Sequence, residues 1–306
     1  MEKQVVVITG AATGIGRLAA ELIAQAGHIV YAGLRDATIE NRVDVQALDA
    51  MRERDGVAIQ PIELNVLHEE SCRSAADLVL AREGRVDVVV NNAAILVVGV
   101  TEAFRTEQLL EVYNTNAVSW VRMARAFLPS MRARRRGLIV YTSSSTARMA
   151  DPFIGPYAAS KAAGDVLAET MYYENSPYGI ESTTIVPGAY PSGTNLFSHA
   201  TQAADASVAA QYGLISHLPA ELPDRLRGMH APGIRTDVAE VSEAIRDVVC
   251  LPAGSRPRRV VVDPQRRGLE TLNALHDELQ RASYRRLGIE HLIDVAASKA
   301  EPGAGE

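Results

Sequence analysis

Tyr157 and Lys161 stand four residues apart in the segment Tyr157-Ala158-Ala159-Ser160-Lys161, and Ser144 stands thirteen residues before the tyrosine. On a helix, residues four apart share a face, so the ammonium lies beside the phenol. A neighbouring cation favours phenolate and draws a group with an ordinary pKa of about 10 towards working pH. A tyrosine in that setting can serve as a general acid or base. A serine hydroxyl delivered from the end of a neighbouring strand would hold a substrate oxygen next to it. Tyrosine and lysine at this spacing occur by chance in many helices, so the weight of the pattern rests on the elements that position it.

The first of these elements lies near the N-terminus. Val5-Val6-Val7-Ile8 is a short apolar run, followed by Thr9-Gly10-Ala11-Ala12-Thr13-Gly14-Ile15-Gly16. Arg17-Leu18-Ala19-Ala20-Glu21-Leu22-Ile23-Ala24 then has helical apolar spacing and stops at Gly27. Strand, glycine turn and helix is the context a dinucleotide loop requires. Gly10 would permit the tight turn, Gly14 the approach of a pyrophosphate, and Gly16 close packing of helix on strand. The helix N-terminus would face the anion with free N–H groups and a favourable dipole. An ordinary glycine-rich connection that binds nothing is the competing reading, and the tyrosine–lysine pair weighs against it.

Short apolar runs at 5–8, 29–34, 57–62, 86–90, 138–142, 181–186 and 259–262 alternate with helical stretches near 15–26, 41–54, 69–83, 106–133, 157–174, 237–250 and 268–287. Uninterrupted apolar strands of this length suit a parallel sheet buried on both faces. The rhythm predicts one α/β domain over 1–295, a doubly wound parallel sheet with right-handed crossovers. The stretch 188–235, with prolines and glycines among apolar residues, is expected to be a substrate lid. Residues 264–295 are expected to form a helical extension, and 296–306 a disordered tail. Arg132-Ala133-Arg134-Arg135-Arg136 ends a predicted helix, where cations complement the dipole.

Hydrophobic residues make up 47% of the 306 and charged residues 22%, enough for a sizeable core, while a net charge of −6 argues against nucleic acid as a partner. No apolar run approaches the ~18 residues of a membrane span, and the chain enters a strand almost at once, so a cytoplasmic protein is expected. Cys72 and Cys250 are too few for a disulfide framework, and the spacing of His199, His217 and His230 matches no ligand pattern, so no metal is expected.

In this order the motifs resemble those of the short-chain dehydrogenase/reductases, over about residues 4–262. Thr-Gly-x-x-x-Gly-Ile-Gly at 9–16 is similar to the cofactor loop of the family's core branch. Asn91-Asn92-Ala93-Ala94 is similar to the Asn-Asn-Ala-Gly that follows the fourth strand, with Ala94 in place of glycine. Asn116 falls where the family keeps a helix asparagine, with Asn114 competing for the role. Ser144, Tyr157 and Lys161 match the remaining catalytic positions, Ser143 being the alternative serine. Pro187-Gly188 follows the sixth strand, with Thr194 matching the threonine that binds phosphate or amide. The resemblance thus implies catalytic Asn116, Ser144, Tyr157 and Lys161, and cofactor contacts from Gly10, Thr13, Gly14, Ile15, Gly16, Asn92, Tyr157, Lys161, Pro187, Gly188 and Thr194.

The second strand reads Tyr31-Ala32-Gly33-Leu34-Arg35-Asp36. NAD-dependent proteins place an acid at its end for the ribose 2′-hydroxyl. Here Leu34 takes that place and Arg35 follows, a guanidinium suited to a 2′-phosphate, so NADP is expected. The alternative reading pairs Asp36 with Arg35, or makes it the acid after a register slip of two. Asn65 is expected to bond the adenine amino group.

The resemblance implies hydride transfer between the nicotinamide and a carbonyl or secondary alcohol. Tyr157 would exchange the proton, Lys161 lower its pKa and hold the ribose hydroxyls, Ser144 polarise the carbonyl, and Asn116 keep a water chain. The long ending is similar to that of hydroxysteroid and retinol dehydrogenases, which implies a bulky apolar substrate facing Phe153, Tyr190, Phe197, Tyr212, Leu214 and Ile215. The alternatives are an acyl-thioester 3-ketoreductase and a non-catalytic NADP-binding redox sensor. Family members pair through the helices matching 106–133 and 157–174, so a homodimer or homotetramer is expected, with Trp120 and Met123 serving either that contact or the core.

Overall fold

The computed structural model describes residues 2–37 and 42–295; the tail expected at 296–306 lies outside them. The strands are β1 (Val5–Thr9), β2 (Ile29–Leu34), β3 (Ile59–Glu63), β4 (Val88–Asn91), β5 (Val97–Val98), β6 (Gly137–Thr142), β7 (Ile180–Pro187), β8 (Thr201–Gln202) and β9 (Arg259–Val262). The α-helices are α1 (Gly14–Gln25), α2 (Val43–Asp55), α3 (Glu69–Glu83), α4 (Thr106–Tyr113), α5 (Ser119–Arg134), α6 (Gly155–Asn175), α7 (Ala206–Gln211), α8 (Leu218–Gly228), α9 (Ala239–Cys250) and α10 (Leu269–Leu287). Seven strands form one sheet in the order β3-β2-β1-β4-β6-β7-β9, and every pairing in it is parallel.

Side chains alternate across each strand and feed two cores. Val6, Ile8, Val30, Ala32, Val88, Val90, Leu138 and Val140 pack with α1 and α9 on one face. Val5, Val7, Tyr31, Val89, Ile139 and Tyr141 pack with α3 and α5 on the other. β1, β2, β4 and β6 carry almost no polar residues because both faces are covered.

The helical stretch 106–133 differs from the single helix expected. It is two helices, α4 and α5, joined by a π-helical turn at Asn114–Val118. One wider turn of this kind re-aims the side chains on it. Trp120 and Met123 are both fully buried. Trp120 sits 4.9 Å from the Tyr141 ring, so both residues serve the protein's own core.

The segment 188–235 carries two short helices and a strand. β8 pairs with β5, Asp205 N–H donates to Ala103 O at 3.0 Å, and Gln108 Nε2 donates to Gln202 O at 2.9 Å. Beyond β9, α10 leads into a final turn where Ile293 packs on Tyr172 and Tyr173 of α6. The arginine run ties the end of α5 to neighbouring segments: Arg134 pairs with Asp87 at 2.9 Å and Arg136 with Glu2 at 2.6 Å.

Gly164 lets α6 lie against the indole, since a Cβ there would stand 2.8 Å from Trp120 Cζ3. Alanine would gain about 1 kcal/mol of helix propensity. The ring cannot retreat, because Tyr141 backs it, so overpacking of about 1–3 kcal/mol dominates. Gly164→Ala should therefore lower the thermal midpoint; an unchanged or raised midpoint would contradict this packing.

Candidate active site

The first crossovers from β1 and β4 leave the middle of the sheet on opposite sides, and the crevice beyond their C-terminal ends is where open parallel sheets bind ligands. Gly10 and Gly14 have φ of +65° and +58°. A Cβ on Gly16 would stand 2.3 Å from Gly10 O and 2.4 Å from Asn92 Nδ2, so this helix start tolerates only glycine. Thr9 Oγ1 accepts from the N–H groups of Asn92 (2.9 Å) and Ala93 (3.0 Å), and Asn92 Nδ2 donates to Thr9 O (3.1 Å) and Gly10 O (3.2 Å). The loops after β1 and β4 are thereby locked together.

Thr13 precedes α1, is exposed and makes no capping bond, and the first turn carries no acid. The helix start thus presents free N–H groups and no negative charge, which suits a phosphate. Ile15 anchors this turn through its carbonyl, which accepts from Ser242 Oγ at 2.9 Å. Thr194 arrives from 180 residues away: a Cβ on Gly14 would lie 3.5 Å from its Cβ. Pro187 ends β7, and Gly188 N–H donates to Val262 O at 2.9 Å, where a Cβ would meet Asp263 Oδ1 at 2.2 Å.

At the end of β2, Leu34 is buried and Arg35 and Asp36 are exposed. Asp36 takes φ +56° while Glu63 accepts from the N–H groups of Asp36 (3.2 Å) and Ala37 (2.6 Å). Among the described residues the Arg35 guanidinium makes no ion pair, so the anticipated alternative of pairing with Asp36 is not adopted. Asn65 lies just past β3, where its Oδ1 accepts from Leu67 N–H at 3.1 Å.

Ser144, Tyr157, Lys161 and Asn116 converge below this loop. Tyr157 is buried, and burial pushes its phenol up to about 12, while the Ser144 hydroxyl pulls the other way. Ser144 Oγ accepts from Thr146 Oγ1 at 3.0 Å. Lys161 reaches the site from one turn further along α6. Its Nζ donates to Thr142 O at 2.8 Å and lies 5.6 Å from the Trp120 ring and 5.9 Å from the Tyr157 ring. Burial lowers its pKa to about 8, and Asp165 raises it.

Asn116, in the π turn, is the buried asparagine of the site. Its Oδ1 accepts from Ile95 N–H (2.9 Å), and its Nδ2 donates to Ile95 O (2.9 Å) and Ser160 Oγ (3.0 Å). Asn114 is spent on Arg122. Ser160 donates to Tyr157 O at 2.7 Å, so it couples the π turn to α6. Sequence reasoning passed over Ser160 and Thr9, although each sits inside a motif it quoted.

The apolar side chains around Tyr157 include Leu96, Phe104, Ile154, Phe197, Leu222 and Leu226. Of the residues expected to face a substrate, Phe197 joins this group. Tyr190 does not: the chain turns beneath β9 after Gly188 and buries the ring with Val238 and Val241. Leu214 is 94% exposed, and Tyr212 is tied to Glu102 through its hydroxyl.

Residues 4–204 match the family model of the short chain dehydrogenases. The chain belongs to that family. It is similar to the 3-ketodihydrosphingosine reductase of Bacteroides thetaiotaomicron, 33% identical over 63% of this chain and 66% of that protein. It is also similar to human 17-beta-hydroxysteroid dehydrogenase type 1, 36% identical over 61% of this chain and 57% of the relative. Each match therefore spans less than two thirds of the relative's length. Among solved structures, an alcohol dehydrogenase of the archaeon Thermococcus sibiricus complexed with 5-hydroxy-NADP superposes with a TM-score of 0.67 at 25% identity, covering 85% of this chain and 96% of that one. A Streptomyces avermitilis short-chain dehydrogenase gives 0.71 at 27% identity, covering 94% and 97%. No helix among the described residues of this short-chain dehydrogenase is long and apolar enough to cross a membrane.

Lys161 also marks stability. In the folded chain it releases its proton near 8, whereas the unfolded chain holds it to the ordinary value of 10.5. Between these values the unfolded state binds more protons, so stability rises with pH. Above 10 the buried phenol of Tyr157 acts in the opposite sense. From pH 8 to 10 the wild type should gain about 2–3 kcal/mol of unfolding free energy relative to Lys161→Met. Urea melts of both proteins across that range check this, and a constant difference would contradict it.

Proposed function

We propose that this short-chain dehydrogenase is an NADP-dependent oxidoreductase that moves a hydride between the nicotinamide and a carbonyl or secondary-alcohol carbon of a bulky apolar substrate. The observation that carries the reading is the convergence of Ser144, Tyr157 and Lys161 beside a glycine loop and a helix start shaped for a dinucleotide phosphate. The residues present fit such a cofactor. Gly10, Thr13, Gly14, Ile15 and Gly16 would cradle its phosphates, Asn92 would brace that loop, and Pro187, Gly188 and Thr194 would flank the nicotinamide end. The bound cofactor supplies the hydride.

The chain's own residues manage the proton and the polarity. Ser144 would hold the carbonyl oxygen beside Tyr157. Tyr157, kept protonated by burial, would donate its proton to that oxygen in reduction and recover it in oxidation. Lys161, one turn on, would hold the ribose hydroxyls and lend positive charge when the phenolate forms. Asn116 would fix Ile95, in the connection after β4, and the start of α6 in one frame. Leu96, Phe104, Phe197, Leu222 and Leu226 would keep water from the reacting atoms and favour an apolar substrate. The similarity to a 3-ketodihydrosphingosine reductase and a hydroxysteroid dehydrogenase is consistent with that class. A ketoacyl thioester is the second reading, favoured by 34% identity over 187 residues to a putative monensin polyketide synthase ketoacyl reductase of Streptomyces virginiae.

The preference for NADP is supported by the exposed Arg35 at the end of β2 and by the NADP-type ligand in a structural neighbour. Arg35→Ala should weaken NADPH binding far more than NADH binding, measured by fluorescence titration of both; equal losses would assign the 2′-phosphate elsewhere. Tyr157→Phe should cut turnover of accepted ketones by ~10²-fold or more while cofactor still binds. Near wild-type turnover in that variant would remove Tyr157 from the chemistry, and a wild type that binds NADPH but turns over no ketone would favour the redox-sensor alternative.

A further inference from the structure

Helix α6 carries Tyr157, Lys161, Asp165, Glu169 and Tyr173 at steps of four, a single ladder of titratable side chains. Its two acids live in different surroundings. Glu169 is saturated: it accepts from Tyr173 Oη at 2.6 Å and pairs with Arg258 at 2.7 Å and Arg259 at 3.0 Å. Asp165, only 5% exposed, has no hydrogen bond in good geometry to either carboxylate oxygen. Its nearest ion-pair partner is Arg148, with Nη2 at 3.5 Å. A buried carboxylate with so little local support needs a reason to be there.

Lys161 has the complementary problem. It is 2% exposed, and among the described residues its ammonium finds only the neutral carbonyl of Thr142 as a hydrogen-bond acceptor. We propose that Asp165, one turn beyond Lys161, is a positioning residue whose carboxylate keeps the buried Lys161 ammonium charged and so available to Tyr157. This rests on the hydride-transfer reading for its role in turnover, and on the shared buried face of α6 for the electrostatic coupling of the two residues. The groups that face the pair are Tyr157 on α6, Arg148 and Ser143 from the β6–α6 connection and Arg259 from β9, with the Thr142 carbonyl of β6 and the Trp120 ring of α5 against Lys161. Burial raises the carboxyl of Asp165, while Ser143, Arg148, Lys161 and Arg259 favour its ionised form. Asp165 is the acid that opposes the burial of Lys161.

The sequence contains three lysines, Lys3, Lys161 and Lys299, so ¹³C-labelled lysine gives a sparse NMR spectrum in which the signal lost in Lys161→Met identifies Lys161. In the wild type Lys161 should titrate near 8. In Asp165→Asn, nearly isosteric but uncharged, it should titrate roughly one unit lower, since the opposing charge is gone. The alkaline limb of kcat/KM for ketone reduction should move down with it, costing about 5-fold at pH 8 and approaching about 10-fold above it, and Asp165→Glu should restore the limb. A loss equal at all pH values with an unmoved Lys161 titration would mean a merely structural role and overturn the proposal. If Asp165→Asn gives no soluble protein, Asp165→Ser is read the same way. A shifted Lys161 titration in a protein that reduces no ketone would sink the hydride-transfer reading and leave the coupling of Asp165 to Lys161 standing. Turnover with an unmoved titration would do the reverse.

Discussion

A lysine ammonium held out of water against an indole, one turn from a buried phenol, is the contact around which the rest of this structure is organised. Removing such a charge from water is costly unless something nearby repays it. The Thr142 carbonyl at the end of β6, the Trp120 ring and Asp165 supply that compensation. Each comes from a different element, so the sheet, α5 and α6 must all be in register before Lys161 can be buried. Gly164 is the concession that lets α5 and α6 approach closely enough.

The same logic explains the π turn. An asparagine is a poor helix former, and a side chain that must bond both backbone groups of Ile95 cannot also follow a regular helix face. The extra residue at Asn114–Val118 aims Asn116 inwards, where Ser160 ties it to the backbone of Tyr157. The connection after β4, the π turn and the catalytic helix are thereby one hydrogen-bonded unit. On the opposite side of the crevice, Thr9 and Asn92 fasten the glycine loop to the end of β4 in the same manner.

Much of this was legible in the chain. The seven runs became the seven strands because doubly covered parallel strands need little polar alternation, and the glycine spacing marked a loop where close approach is required. What stayed hidden depended on contacts between distant segments. Tyr190 and Leu214 both read as substrate-facing residues in a long connection. Only the turn under β9 buries one, and only the end of α7 leaves the other in solvent. Trp120 could have faced a partner or the core until Tyr141 and Gly164 were seen around it. Spacing placed the lysine beside the phenol, but it could not show that the ammonium bonds the Thr142 carbonyl or that burial pushes the phenol upwards.

The central claim is that the crevice above Tyr157 brings a nicotinamide and a carbonyl carbon into hydride contact. Deuterium at C4 of NADPH, followed by mass spectrometry into the products of a panel of bulky apolar ketones, tests it most directly. The account predicts that one accepted ketone yields an alcohol carrying a single deuterium on the carbinol carbon. Cofactor binding without deuterium in any product would contradict it.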